Sequence, residues 1–294
     1  TDDLTRNTQT LVTQAYGLRA EGVSAWCFTG GYHLPLTTLT GSARSDFVNL
    51  DPVIGIGDVA ISDHRSSQPT LEEILRLASE AQVAGLMTGK AGVLHLHLGD
   101  GKRGLDLVRR SLEGSELPAR VFHPTHVNRN KPLFEESCKL VAEHGCCVDL
   151  TAYEMVQDDP GWSAAEAMLR YHSAGLPETH LTMSSDGGGC LPCFNAAGEV
   201  ERLDVGSSQT LLETLHCVQT EGLSLEQALP ACTSNVARLM RLHAKGRIAL
   251  GLDADMIAVD DSLQVQHVMA RGRWHVRDGQ QVVLGSYETQ FSPG

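Results

Sequence analysis

Three side chains stand where they could hold a divalent metal: His97 closes the run GVLHLHL, His126 lies in HPTHVNRN, and Asp186 follows LTMSS. Imidazole nitrogen and carboxylate oxygen are ordinary zinc ligands, and in a parallel βα barrel the chemistry gathers at the C-terminal strand ends. His95 alternates with His97, so on a strand the two face opposite sides, and the one nearer the end is the candidate. His123 and the histidines elsewhere have no such setting and read as core or hydrogen-bonded side chains. Arg65 in AISDHRS and Arg129 in THVNRN also follow apolar runs. A planar guanidinium fork suits a carboxylate substrate, although a solvated surface arginine is the plainer reading. The SSDGGG stretch at 184–189 lacks the lysine and spacing of a phosphate loop, so its glycines are expected to permit a tight loop around Asp186. Cys190-Leu-Pro-Cys193 has no second CxxC, and two free thiols in a loop are expected.

These residues need elements to place them. Short apolar runs alternate with longer segments of helical period, the pattern of βα units around a parallel sheet. The expected strands are 23–29, 53–61, 92–98, 119–123, 147–151 and 180–184. Capping boxes at Thr70 to Glu73 and Ser163 to Glu166 start helices, Pro132 opens another, and a last helical region begins at Ser224. Gly85, Gly145, Gly175 and Gly222 stand where these helices should stop. From Lys245 the texture changes to glycine turns and short β-rich pieces, with Asp278-Gly279 as a hairpin signal and a frayed QFSPG end. The chain thus divides into a barrel over 1–244 and a small β-structure over 245–294.

The 294 residues, 41% of them hydrophobic, can bury a real core, which excludes a disordered chain or a disulfide mini-scaffold. With 23 Lys and Arg against 36 Asp and Glu, the net charge of −13 leaves no electrostatic footprint for nucleic acid or an anionic membrane, so small-molecule partners are expected. No run approaches a membrane span and no signal peptide opens the sequence, and scattered cysteines fit reduced thiols. These features read as cytoplasmic.

The runs YHLP at 32–35, AISDHRS at 60–66, PTHVNRN at 124–130, LTMSSDG at 181–187 and KGRIALGLDADMIAVD at 245–260 resemble the isoaspartyl dipeptidases, the β-aspartyl peptidase branch of the amidohydrolase superfamily. The resemblance implies a (β/α)8 TIM-type barrel with a small C-terminal β-domain and a two-zinc site that hydrolyses the β-aspartyl bond of dipeptides. It implies that His97 and His126 ligate one zinc, and that Asp186 ligates the other and shuttles the proton. Tyr32 would polarise the scissile carbonyl, and Arg65 and Arg129 would bind substrate carboxylates.

Three departures accompany it. No His-x-His strand precedes Thr1, so the barrel is expected to lack its first two βα units. The chain as it stands should then hold at most one loose zinc with doubtful activity, and its unpaired sheet edges should favour a homo-oligomer. The family's bridging carboxylated lysine falls on Asp58, which is shorter, and the Gly55-Ile56-Gly57 run before it could permit a bulge that carries the strand inward. The family's serine after the metal aspartate falls on Cys190. The alternatives are a non-catalytic remnant that binds acidic dipeptides, and a cyclic-amide hydrolase of the dihydroorotase or hydantoinase kind.

Overall fold

The computed structural model describes residues 6–155, 159–194 and 199–285. Six short parallel strands carry the site: β1 (Cys27–Thr29), β2 (Val53–Ser62), β3 (Val93–Leu98), β4 (Phe122–Thr125), β5 (Val148–Thr151) and β6 (Leu181–Ser184). The first four pair in chain order, and β5 pairs with β6. Between the two groups, the Val127 amide donates to the Asp149 carbonyl at 3.3 Å. All six coincide with expected strands, although all but β2 begin later than expected, β1 and β4 by the most. The apolar, β-branched β2 is buried along nearly its whole length, as a strand covered on both faces must be.

Helices alternate with these strands. They are α1 (Thr8–Ala20), α2 (Ala43–Asn49), α3 (Leu71–Thr88), α4 (Asp106–Glu113), α5 (Lys131–His144), α6 (Ala164–Ser173) and α7 (Thr210–Thr220). Both expected capping boxes form, at Thr70 and Ser163, and Pro132 lies in the first turn of α5. Gly145 caps α5 in the left-handed region, but Gly85 does not end α3, which runs on to a Gly89 cap. Gly85 is needed for a different reason: a Cβ there would meet the Gly92 Cα at 2.8 Å, so the glycine lets helix and following strand approach. Ile74, Ala78, Ala81 and Ala84 of α3 join Ile56, Val59, Leu94 and Leu96 in one core cluster, and Leu150, Met168, Tyr171 and Met183 centre a second beneath β5 and β6.

Two features depart from the sequence reading. β7 (Cys190–Phe194) pairs antiparallel with β8 (Val200–Val205), where a loop was expected at Cys190 to Cys193. The helical region after Ser224 is a set of short pieces, Leu225–Ala228 and Ser234–Leu239 with a 3-10 turn between. Beyond them β9 (Met256–Val259), β10 (Val265–Ala270), β11 (Arg273–Arg277) and β12 (Gln280–Gln281) form an antiparallel sheet. Asp278 and Gly279, with φ of 50° and 70°, make the tight turn between β11 and β12. The QFSPG end lies outside the described residues. No helix among the described residues is long and apolar enough to cross a membrane.

Candidate active site

The site begins at an irregularity in β2. Ile56 pairs with Leu94 and Val59 with Leu96, so Gly57 and Asp58 together oppose His95. This is a bulge, and Gly57 makes it possible: its φ is 154°, and a Cβ there would meet the His95 carbonyl oxygen at 2.9 Å. The extra residue carries the Asp58 carboxylate to the imidazoles. His97 Nδ1 lies 3.2 Å from Asp58 Oδ2, and ligand atoms of Asp58, His97 and His126 all fall within 4.8 Å of one another.

His97 and His126 are both buried and in edge-to-face contact, ring centroids 4.5 Å apart. His126 follows β4 with φ 61°, a conformation rare for a side chain of this size. Its Nδ1 is held 2.7 Å from the Thr151 hydroxyl, and burial first, then the neighbouring His97, drives its pKa far down and keeps it neutral, as a metal ligand must be. Burial pushes the Asp58 carboxyl up, but the hydrogen bond with His97 and the surrounding imidazoles outweigh it and hold it ionised. Its Oδ1 is buried without a hydrogen-bond partner. An ionised oxygen left bare beside two imidazoles is a donor set that fits a divalent cation.

Asp186 sits two residues past β6, also in the left-handed region at φ 50°. The loop around it is as tight as expected: a Cβ at Gly189 would meet Asp186 Oδ1 at 2.5 Å, and one at Gly206 would meet its carbonyl oxygen at 2.4 Å. It shares a cavity of about 1560 Å³ with Asp58, His97 and His126, though it is not part of their close cluster. Burial, with the Asp58 charge added, raises its pKa, which suits a carboxylate that takes and returns a proton.

The two arginines are placed unequally. Arg65 is forked onto Asp63, Nε to Oδ1 at 2.9 Å and Nη2 to Oδ2 at 2.6 Å, while Asp63 is only 2% exposed. Asp63 also lies 3.2 Å from His97 Nε2, so it ties an arginine to a histidine of the site. Arg129 Nη1 lies 3.4 Å from the same His97 Nε2, at the cavity wall. Tyr32 is not brought to the cavity. It packs edge-on against His97 at 4.7 Å, 3% exposed, its hydroxyl buried without a partner, and burial pushes the phenol well above its usual range. Cys190 is exposed and lines the cavity, on strand β7 rather than in a loop; the side chain of Cys193 lies outside the described residues. Residue reasoning missed Asp63, whose signal was an acid two positions before Arg65. It also missed Arg6, whose guanidinium donates to the Gly188 carbonyl at 2.8 Å and lines the cavity from the other end of the chain.

Residues 55–275 match the model of the amidohydrolase family. The chain belongs to that family. Within it, the β-aspartyl dipeptidase of Fervidobacterium islandicum AW-1, crystallised with β-Asp-Leu, superposes with a TM-score of 0.89 at 40% identity, over 98% of this chain and 74% of that one. A second structure of the Fervidobacterium islandicum AW-1 β-aspartyl dipeptidase gives 0.87 at 38%, over 98% and 73%. This chain is therefore a member of the β-aspartyl dipeptidase branch. A local match to human N-acetylglucosamine-6-phosphate deacetylase, 41% identical over 58 residues, spans 19% of this amidohydrolase and 14% of that protein.

Proposed function

We propose that this protein hydrolyses the β-aspartyl peptide bond of dipeptides, with water activated by zinc held at Asp58, His97 and His126. The observation that carries the reading is the convergence in one cavity of that donor set, the raised carboxylate Asp186 and the cavity-facing Arg129. The likeness to the Fervidobacterium islandicum enzyme supports the substrate class. A bound divalent ion supplies a Lewis acid and makes water a nucleophile near neutral pH. The residues supply the rest. Asp186 takes the proton of the attacking water and returns it to the leaving amine. Arg129 binds a substrate carboxylate through its planar fork, Arg65 offers a second cation held in place by Asp63, and Cys190 contacts the substrate at the rim. Tyr32 lends its hydroxyl to the scissile carbonyl only if the segment carrying it turns toward the cavity.

The test is release of leucine from β-Asp-Leu by purified zinc-loaded protein, expressed from the complete reading frame so that any encoded His-x-His strand is present. The expected result is hydrolysis of β-Asp-Leu and not of α-Asp-Leu. Hydrolysis of a cyclic amide such as dihydroorotate instead, or binding of β-Asp-Leu without turnover in protein that carries zinc, would overturn it.

A further inference from the structure

Four guanidiniums line the cavity, those of Arg6, Arg65, Arg129 and Arg202. Two of them are matched by carboxylates of the chain itself. Arg65 is forked onto the buried Asp63, and Arg202 lies with Nε 2.8 Å and Nη2 2.7 Å from Asp204 Oδ2. Arg129 has only the far side of Asp63, whose Oδ2 is 3.9 Å from its Nη1, so Arg65, Arg129 and Asp63 together carry a single positive charge. Arg6 forms no ion pair among the described residues. Its Nη1 donates to the Gly188 carbonyl at 2.8 Å, and its Nε and Nη2 hydrogens have no partner there, which leaves them for a ligand.

The strand order sets Arg6 apart from the other pair. β1 to β4 pair in chain order, with Arg65 following β2 and Arg129 following β4. Arg6 instead precedes α1 and β1, and its guanidinium reaches the loop behind β6. β1 and β6 are the two ends of the parallel series, so Arg6 closes the cavity between those ends, away from β4 in the middle. The cavity therefore holds one uncompensated cation on each of two sides. A β-aspartyl dipeptide carries two carboxylates, one on either side of the scissile bond and about 7 to 8 Å apart when extended. One cation to a side matches one carboxylate to a side.

We propose that Arg6 is a substrate-binding residue: across the cavity from Arg129, it holds the second carboxylate of the dipeptide. The aspartyl carboxylate and the carboxylate of the leaving residue are thus divided between the two guanidiniums. The inference rests on the reading of the cavity as a β-aspartyl dipeptidase site. Its bond to Gly188, two residues past Asp186, fixes the Arg6 guanidinium beside the loop that carries the proton acceptor.

The test uses zinc-loaded protein from the complete reading frame and three substrates: β-Asp-Leu, β-Ala-Leu, which lacks the aspartyl carboxylate, and β-Asp-leucinamide, which lacks the leucine carboxylate. Arg6→Gln can still donate to Gly188 but carries no charge. It should raise KM for β-Asp-Leu about 10- to 100-fold with kcat nearly unchanged, because the contact is made in ground and transition states alike. On one of the two truncated substrates Arg6→Gln should match wild type, and on the other Arg129→Met should match wild type. Arg6→Lys should recover part of the loss. Where a truncated substrate turns over too slowly, its inhibition constant against β-Asp-Leu gives the same comparison. An equal loss on all three substrates, as a mere anchor for the Asp186 loop would give, overturns the proposal. So does a wild-type KM in Arg6→Gln, or a match to wild type by both variants on the same truncated substrate. Equilibrium dialysis of β-Asp-Leu tells this failure from that of the hydrolase reading. Wild type that binds the dipeptide without turnover ends that reading, while the affinities of the variants still decide for or against Arg6; wild type that does not bind it overturns both.

Discussion

Asp58 concentrates the chemistry that a single residue can decide here. Asn keeps its shape and removes its charge, so Asp58→Asn should lose metal and turnover together. The loss should exceed the roughly 100-fold upper end typical of groups that merely support a ligand. Retained zinc stoichiometry by elemental analysis with near-normal turnover would show that Asp58 ligates nothing. An aspartate already is a carboxylate, so added bicarbonate should leave the activity unchanged. The arginines should separate. Arg129→Met removes a charge-assisted fork and should cut kcat/KM for β-Asp-Leu by about 30-fold to several thousand-fold, corresponding to roughly 2 to 5 kcal/mol, with Arg129→Lys a poor rescue. Arg65→Met should also destabilise the fold, by on the order of 3 kcal/mol in urea denaturation, because it leaves the buried Asp63 without its forked partner. Equal unfolding midpoints for Arg65→Met and wild type would return Arg65 to a purely substrate-facing role.

At the scale of elements, the bulge in β2 is what makes a short acid serve where the resemblance implies a long lysine. Gly57→Ala would drive a methyl group into the His95 carbonyl oxygen, 2.9 Å away, at a φ that side chains rarely adopt. The expected result is a folded protein, with far-ultraviolet circular dichroism unchanged, whose Co2+ affinity falls as Asp58 is displaced; unchanged affinity would show that the bulge does not set its position. The bulge was legible because two glycines flank one apolar residue just before the acid. The six strands were legible too, since β-branched apolar runs between capped helices leave few other readings. What escaped was nonlocal. Gly85 reads locally as a helix stop, and only its contact with Gly92 shows that it is a packing site. Strand β8, Val-Glu-Arg-Leu-Asp-Val, is exposed along nearly all its length, so burial wrote no pattern into it. The polar contacts from His95 through His123 and Thr182 to Asp149, at 3.0, 2.9 and 2.6 Å, draw on four strands, and no window of sequence contains them.

For the whole molecule, the buried histidines predict a response to acid. His123 and His126 have pKa values driven far below the ordinary imidazole value, first by burial. In the unfolded chain each takes up a proton below about pH 6.5, whereas the metal-free native state refuses it. At these two sites the unfolded state therefore binds more protons below that pH, and each histidine lowers stability by up to about 1.4 kcal/mol per pH unit as pH drops, while the raised carboxyls of Asp149 and Asp186 work in the opposite sense. Asp63 works in a lower window. Burial raises its pKa, but His97 and Arg65 outweigh that and hold it depressed, so its contribution is intact above about pH 4 and lost only below. Between pH 7.5 and 5.5 the Asp63 carboxylate should thus be silent, and the histidines' share is read from the variant that lacks one of them. Urea midpoints of metal-free protein should decline across that range, and His123→Phe, which has no proton to take up, should show a shallower decline than wild type. A flat profile from pH 7.5 to 5.5, with His123→Phe no shallower than wild type, would mean that the buried histidines take up protons without unfolding.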